Sequence, residues 1–318
     1  MTSRAAVSVL IPCFNAERYL GETLESALKQ SLPPVEILVV DDRSTDASRA
    51  IAEKYAPAVR VLTNVGQGAS AARNHASANA SGEFFQFLDA DDLLEPTALA
   101  TRVDALQRSG ANVAVSDWQR LVERDGTWMP GKIESGHLPD STDPADLSVF
   151  KGFWAPPAAV LYRRTVCDRI HGWRENLPVI QDHRFLLDAA RLGGRFAHVQ
   201  GVGARYRQHA HSSLSSRSSP RFWRDVLENT REMERLWTSD GQFDPAHRAA
   251  VAGAYAHCAH VGFSTDRALF HESYQELRRF PEQVPSRLVR AGAMLTKFAG
   301  YGAAHAILSR FSRSQAAG

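Results

Sequence analysis

Long hydrophobic runs are missing from this chain: no stretch approaches the ~18 consecutive apolar residues of a membrane-spanning helix. Cysteine is scarce. The three present, Cys13, Cys167 and Cys258, are far apart, without metal-like spacing, and their odd number suits packed thiols in a reducing compartment better than a disulfide framework. An excess of one charge is absent too. With 37 Lys and Arg against 35 Asp and Glu the net charge is +2, which argues against nucleic acid as a main partner. No internal repeat of the solenoid kind occurs. No Gly-X-Gly-X-X-Gly follows the first apolar run, which removes a dinucleotide-dependent oxidoreductase. A nucleotidyltransferase would place a Gly-rich, basic loop where this chain has Pro12-Cys-Phe-Asn15. Because the first apolar run begins at Val7, no signal peptide is expected, and a cytoplasmic protein is.

What remains is an ordinary globular composition, 44% apolar and 23% charged over 318 residues, enough for one or two substantial cores. Its N-terminal hundred residues alternate in period. Val7–Ile11 reads as a strand halted by Pro12, and Asn15 as the N-cap of a helix carrying Tyr19, Leu20, Leu24 and Leu28. Pro33-Pro34 ends that helix. Glu36–Val40 is a second strand, Ala47–Tyr55 a second helix, Val59–Leu62 a third strand, Ala69–Ala80 a third helix and Glu83–Leu88 a fourth strand. This alternation predicts an α/β fold with a Rossmann-like, mostly parallel central sheet and right-handed crossovers. Beyond Pro96 a helix over 97–109 and a strand over 113–116 lead to a Gly/Pro/Asp-rich stretch, Arg124–Pro144, expected to be a mobile loop. A helix is predicted over Asp182–Leu192, and helices again from about Ser218, the last over Arg287–Phe311.

In such sheets ligands bind beyond the carboxyl ends of the strands. The polar loops gather there: Pro12 to Asn15 after the first strand, Asp41 and Asp42 after the second, Asn64 to Gly68 after the third, and Asp89 to Asp92 after the fourth. The last is the most informative. Phe84-Phe-Gln-Phe-Leu88 calls for burial and the acids that follow call for water, so the junction describes a sheet edge opening into a polar cleft. Asp89 and Asp91 can converge there on a divalent cation, although an acidic loop capping the next helix would have the same sequence.

Taken in order, Val9-Leu-Ile-Pro-Cys-Phe-Asn15, Val39-Val-Asp-Asp-Arg-Ser-Thr-Asp46, Asn64-Val-Gly-Gln-Gly-Ala-Ser-Ala-Ala-Arg-Asn74, Leu88-Asp-Ala-Asp-Asp92, Gln181-Asp182 and Tyr206-Arg-Gln-His209 resemble the family 2 glycosyltransferases, inverting enzymes of the GT-A fold. The resemblance spans roughly residues 5–215 and implies a nucleotide-sugar donor, with a UDP-sugar expected, and Mn²⁺ or Mg²⁺. It places Pro12, Phe14, Asn15, Asp41, Asp42, Asn64, Gly66, Arg73, Asp89 and Arg207 at the donor. Phe14 would stack on the base, unless it is a core aromatic. Asp42 would accept a hydrogen bond from the base, with Asp41 shaping the pocket or capping its loop. Gly66 and Gly68 would admit close backbone approach, Arg73 would meet phosphate or sugar, and Arg207 phosphate. Asp89 would hold the ribose or donor sugar, and Asp91 and His209 the metal, with His211 as a neighbouring alternative. Asp92 would support them or cap a helix. Asp182 falls where the family keeps its general base, also a plausible helix N-cap, but the usual Glu before it is Gln181. Trp154 and Trp173 fall on the acceptor side, either packed in the core or facing a sugar.

The resemblance divides the chain into a nucleotide-sugar-binding half (1–100), an acceptor-binding half (101–217) and a helical C-terminal region (218–318). From Arg278 to Arg313 six Arg and one Lys stand against the single acid Glu282. This stretch is either a packed helical appendage or a basic amphipathic surface for peripheral contact with the inner face of a membrane, where a lipid-linked acceptor would lie. The activity expected is metal-assisted sugar transfer to a glycan or lipid-linked hydroxyl in bacterial cell-surface polysaccharide synthesis. A catalytically silent nucleotide-binding or scaffold protein of the same fold is the alternative, and Gln181 is the one departure that favours it.

Overall fold

The computed structural model describes residues 5–139, 142–209 and 220–281. The chain divides into two compact units, Met1–Ser213 and Leu214–Gly318.

The first unit is built on one mixed sheet of the order β3-β2-β1-β4-β8-β6-β9-β5, with β7 paired to β6 alone. Its parallel part is made of β1 (Val7–Cys13), β2 (Glu36–Asp41), β3 (Val59–Thr63) and β4 (Phe84–Phe87), joined by the helices α1 (Leu20–Leu28), α2 (Ser48–Glu53) and α3 (Gly68–Asn79). Every residue of β1 and β4 is buried, as expected of strands covered on both faces. After the short β5 (Leu93–Leu94) and α4 (Ala98–Ser109), the second half adds β6 (Val113–Arg124), β7 (Thr127–Glu134), α5 (Ala145–Phe150), β8 (Val160–Arg163), α6 (Arg164–Ile170), α7 (Gln181–Arg191) and β9 (Phe196–Gln208). β8 runs antiparallel to both β4 and β6, whereas β9 is parallel to β6 and antiparallel to β5. That last pairing carries the end of β9 back to the turn that follows β4.

Three expectations need correction. Pro12 does not halt β1: beyond Leu10 the strand pairs only with β2, so the missing N–H of Pro12 falls where β4 has already ended. Asn15 is not the N-cap of α1, which starts at Leu20 with Tyr19 before it. Its φ is 47° and its side chain accepts the Thr45 N–H at 2.8 Å, so it stabilises a loop instead. Most of Arg124–Pro144 is not a mobile loop. Asp125 and Gly126 both have positive φ, 49° and 76°, the type I′ geometry that an Asp-Gly pair favours, and they close a β6–β7 hairpin in which Arg124 faces Thr127.

The second unit contains α8 (Pro220–Ser239), α9 (Pro245–Thr265) and α10 (Arg267–Leu277). Asp244 caps α9, and Asp266 caps α10 while accepting from Nε and Nη2 of Arg224. Trp237, Tyr255, Phe270 and Phe280 are fully buried in it. No helix among the described residues is long and apolar enough to cross a membrane. The helix expected over Arg287–Phe311 lies outside the described residues, as does His211.

Candidate functional site

Three of the loops at the carboxyl edge of the parallel strands are tied to one another through Asp42 and Asn15. The Asp42 N–H donates to the Cys13 carbonyl at 2.8 Å, while its Oδ1 accepts from Asn64 Nδ2 at 2.8 Å and its Oδ2 from the Gly68 N–H at 2.7 Å. Asn15 crosses from the first loop to the second, its N–H donating to Ser44 Oγ at 3.0 Å. Asn64 is buried, and its Oδ1 takes the Gly66 N–H at 3.2 Å. Asp41 is buried as well and folds back on its own loop, accepting the Ser44 N–H at 3.2 Å. Phe14 is not a core aromatic: 60% of it is exposed at this edge. The two glycines differ in purpose. Gly68 has φ +86°, whereas Gly66 is required by packing, since a Cβ there would stand 2.7 Å from that of Ala71.

The acidic turn is held from two sides. From α3, the buried Arg73 pairs with Asp89 Oδ1, its guanidinium 4.4 Å from the centroid of the Trp173 ring. Trp173 in turn stacks on Phe185 at 4.2 Å with 7° between planes, and its N–H donates to Asn74 Oδ1 at 2.7 Å, so packing is its main occupation. Nε and Nη1 of Arg73 are buried without a hydrogen-bond partner. From β9, Arg207 donates its N–H to Asp92 Oδ1 at 2.9 Å and its guanidinium to the Asp91 carbonyl and to Glu22. The same guanidinium lies 5.1 Å from the Tyr19 ring and 5.7 Å from the Trp128 ring. Next to it, His209 Nε2 meets Asp91 Oδ2 at 2.8 Å. Its ring stands 5.3 Å from that of Tyr19 and 5.2 Å from that of Trp128.

Electrostatics follow from this crowding. Desolvation pushes the Asp89 carboxyl above its ordinary value; Arg73 opposes the shift, and the charges of Asp91 and Asp182 add to it. Asp89 keeps 28% of its side chain open, yet the cleft walls leave its charge poorly solvated. Asp92 is raised well above the carboxylate range by burial and then by Asp91 and Asp89, with the Arg207 N–H pulling the other way.

Asp182 sits in the first turn of α7, one residue inside the helix rather than at its N-cap. Its Oδ1 accepts the His183 N–H at 2.8 Å and its Oδ2 the Trp154 indole Nε1–H at 2.7 Å. Gln181 accepts from Ser70 Oγ and donates to the Pro178 carbonyl at 3.1 Å, which fastens α7 to α3. Gln181, the residue before Asp182, is thus bonded to the helix whose Arg73 holds Asp89, and the charge of Asp182 adds to the raised carboxyl of Asp89.

Sequence reasoning therefore reached Asp42, Asn64, Arg73, Asp89, Asp91, Asp182, Arg207 and His209 as a gathered set, and missed Tyr19, Glu22 and Trp128. The Asp-Gly turn is the signal that could have found Trp128; Glu22 has none, being 185 residues from its partner Arg207. Among the described residues no three His, Cys, Asp or Glu side chains form a metal cluster on their own.

Residues 8–170, about half of the chain, match the sequence model of Glycosyl transferase family 2. The chain belongs to this family. It is 33% identical over 126 residues to Glycosyltransferase GlyG of Streptococcus pneumoniae serotype 4, an alignment covering 38% of this chain and 42% of that protein. It is 26% identical over 196 residues to the uncharacterized glycosyltransferase EpsJ of Bacillus subtilis, covering 59% and 57%. The chain thus spans about half the length of these curated relatives. Among solved structures, S. aureus TarS 1-349 in complex with UDP-GlcNAc superposes with a TM-score of 0.70 at 20% identity, over 97% of this chain and 92% of that one. The mannosyltransferase PcManGT of Pyrobaculum calidifontis, in complex with GDP-Man and Mn²⁺, gives 0.54 at 19% identity over 96% and 87%. The GT-A fold expected of a family 2 member is thus the fold observed.

Proposed function

We propose that this family 2 member is an inverting glycosyltransferase that moves a sugar from a UDP-sugar to a hydroxyl of a glycan or lipid-linked acceptor, in bacterial cell-surface polysaccharide synthesis. The observation that carries the reading is the acidic turn after β4, in which Arg73 holds Asp89 and His209 meets Asp91, beside loops tied together by Asp42. Residues 1–100 form the donor half in this reading and 101–217 the acceptor half.

Phe14 offers an exposed ring to the base. Asp42 Oδ1 accepts from Asn64 and, at 3.4 Å, from Arg43 Nη1, whereas Oδ2 accepts from the Gly68 N–H and keeps a second lone pair for the N3–H of uracil. Arg73 holds Asp89 while its buried Nε and Nη1 lack partners, and its charge beside the acidic turn favours the phosphates or the donor sugar. Arg207 gives Nη1 to the Asp91 carbonyl and Nη2 to Glu22 and so braces the acidic turn, while its buried Nε keeps an unpaired N–H.

The Asp91–His209 pair fits a divalent cation. A carboxylate oxygen and an imidazole nitrogen 2.8 Å apart match the separation of about 3 Å between adjacent donors on an octahedral ion with bonds of about 2.1 Å. A diphosphate would complete the set. Bound Mn²⁺ or Mg²⁺ supplies positive charge that stabilises the departing diphosphate. Asp182 takes the proton from the acceptor hydroxyl as its oxygen attacks the anomeric carbon on the face opposite the diphosphate, which inverts configuration. TarS with UDP-GlcNAc and PcManGT with GDP-Man and Mn²⁺ lend general support, both being neighbours in fold with a nucleotide-sugar bound.

Calorimetric titration of UDP with and without Mn²⁺, on the native chain and on Asp91→Ala, tests the donor site. The expected result is Mn²⁺-dependent UDP binding that the variant loses. Absence of UDP binding in either condition would overturn the donor assignment.

A further inference from the structure

We propose that Trp154 is a positioning residue that sets the Asp182 carboxylate for proton abstraction, an inference that rests on the reading of Asp182 as the base. The indole Nε1–H reaches Asp182 Oδ2 at 2.7 Å, while Oδ1 is taken by the His183 N–H at 2.8 Å. Helix and indole thus each hold one oxygen, which fixes the plane of the carboxylate and leaves the remaining lone pairs for an incoming hydroxyl. A carboxylate held only through its own helix would be free to turn about its side-chain bonds, and misplacement of a reacting group by 1 Å costs about 100-fold in rate.

The indole is itself wedged. Its ring meets Trp118 edge-on at 5.9 Å and 90°, and Tyr206 at 5.5 Å and 75°. Trp118 is buried on β6 and Tyr206 is on β9, so two neighbouring strands aim the N–H of a loop residue at the first turn of α7. Residue chemistry suits the task. An indole N–H donates and never accepts, so Trp154 orients the carboxylate without competing for the proton that Asp182 is to receive. A histidine or tyrosine there could exchange protons with it. The hydrogen bond adds to the two readings of Trp154 left open by the sequence: its polar edge serves Asp182, and its half-buried ring packs against two aromatic neighbours.

The test is a double-mutant cycle of Trp154→Phe, which keeps a ring but loses the N–H, with Asp182→Asn. UDP release with water as acceptor is measured with Mn²⁺ for UDP-glucose, UDP-galactose, UDP-GlcNAc and UDP-GalNAc, alongside thermal unfolding of each variant. Trp154→Phe should lower kcat about 10-fold, with the KM for the donor and the unfolding temperature unchanged. On top of Asp182→Asn it should add less than about twofold, because its effect passes through that carboxylate. An unimpaired kcat in Trp154→Phe, or the same loss in both backgrounds, would overturn the proposal. Should Trp154→Phe lose stability, Trp154→Gln decides: its amide keeps a neutral N–H donor that does not titrate, so a kcat above that of Trp154→Phe supports the proposal and an equal loss defeats it. Asp182→Asn at full rate would remove the base assignment itself, as would a native chain inert toward all four donors, and the inference would go with it. Inactive Asp182→Asn beside fully active Trp154→Phe would remove the inference alone.

Discussion

Replacing Gly66 by alanine separates two reasons for a glycine at the donor edge. Its φ is not positive, so the backbone tolerates alanine, and any cost comes from space. The new Cβ would stand 2.7 Å from the Ala71 Cβ, where ordinary contact begins at 3.4 Å, so the loop or the start of α3 must yield by about 0.7 Å. Two hydrogen bonds are anchored on the segment that must move, Gly68 N–H to Asp42 at 2.7 Å and Gly66 N–H to Asn64 at 3.2 Å. Lengthening either by that amount takes it past the usual range of about 2.7–3.2 Å. Overpacking of this size costs about 1–3 kcal/mol. At about 2–4 °C per kcal/mol for a unit of this size, Gly66→Ala should unfold about 2–12 °C below the native chain. UDP affinity should fall with it, because the displaced loop contains Asn64 and the displaced helix contains Arg73. Ala71→Gly removes the obstructing methyl at a helix-propensity cost of about 1 kcal/mol, and in that background Gly66→Ala should cost less than about 0.5 kcal/mol. Thermal unfolding and UDP calorimetry on the four proteins read the cycle. If Gly66→Ala weakens UDP binding equally in both backgrounds at an unchanged unfolding temperature, the glycine serves the ligand and the packing argument is wrong.

Trp173→Ala should cost about 3–5 kcal/mol in denaturant unfolding, since it empties the space between Phe185 and Arg73; a loss below about 1 kcal/mol would refute the stack as a structural element. Glu36 gives a pH signature. Burial pushes its carboxyl up, but hydrogen bonds from Ser8 and Ser81 outweigh this and leave it below the ordinary 4.5. A depressed folded-state value means stabilisation that is present above the unfolded value and fades as pH falls through the folded one. Glu36→Gln should therefore be less stable than the native chain at pH 7, by at most about 1 kcal/mol after solvent screening. The difference should close below about pH 4; a gap constant from pH 7 to pH 3 would contradict it.

The parallel half of the sheet was legible because its determinants are local. Strands buried on both faces read as continuous apolar runs, each followed at once by its polar loop, so Asp42, Asn64 and Asp89 could be placed on one edge by counting along the chain. The second half joins residues across long separations: His209 meets Asp91 from 118 residues away. Composition carries no sign of such a pairing, and only an ordered series of motifs pointed to it. The hairpin over 124–127 was written in the sequence, in Asp125-Gly126, but the density of Gly, Pro and Asp around it reads as loop. The place of Trp154 depends on its packing against Trp118 and Tyr206, which no one-dimensional pattern encodes.

The bracing of the acidic turn by β9 also limits how members of this family can exchange parts. The family match ends at Ile170, before Asp182, Arg207 and His209, so the stretch by which the chain is recognised is not the whole of its proposed machinery. A chimaera joined after Ile170 would take its base, brace and histidine from a different parent than its acidic turn. Arg207 would then arrive without assurance of a Glu22 to receive it or of the Tyr19 and Trp128 rings on either side. Recombination at this junction is therefore free only among parents that share those three residues, and a swap that ignores them leaves the acidic turn without its brace.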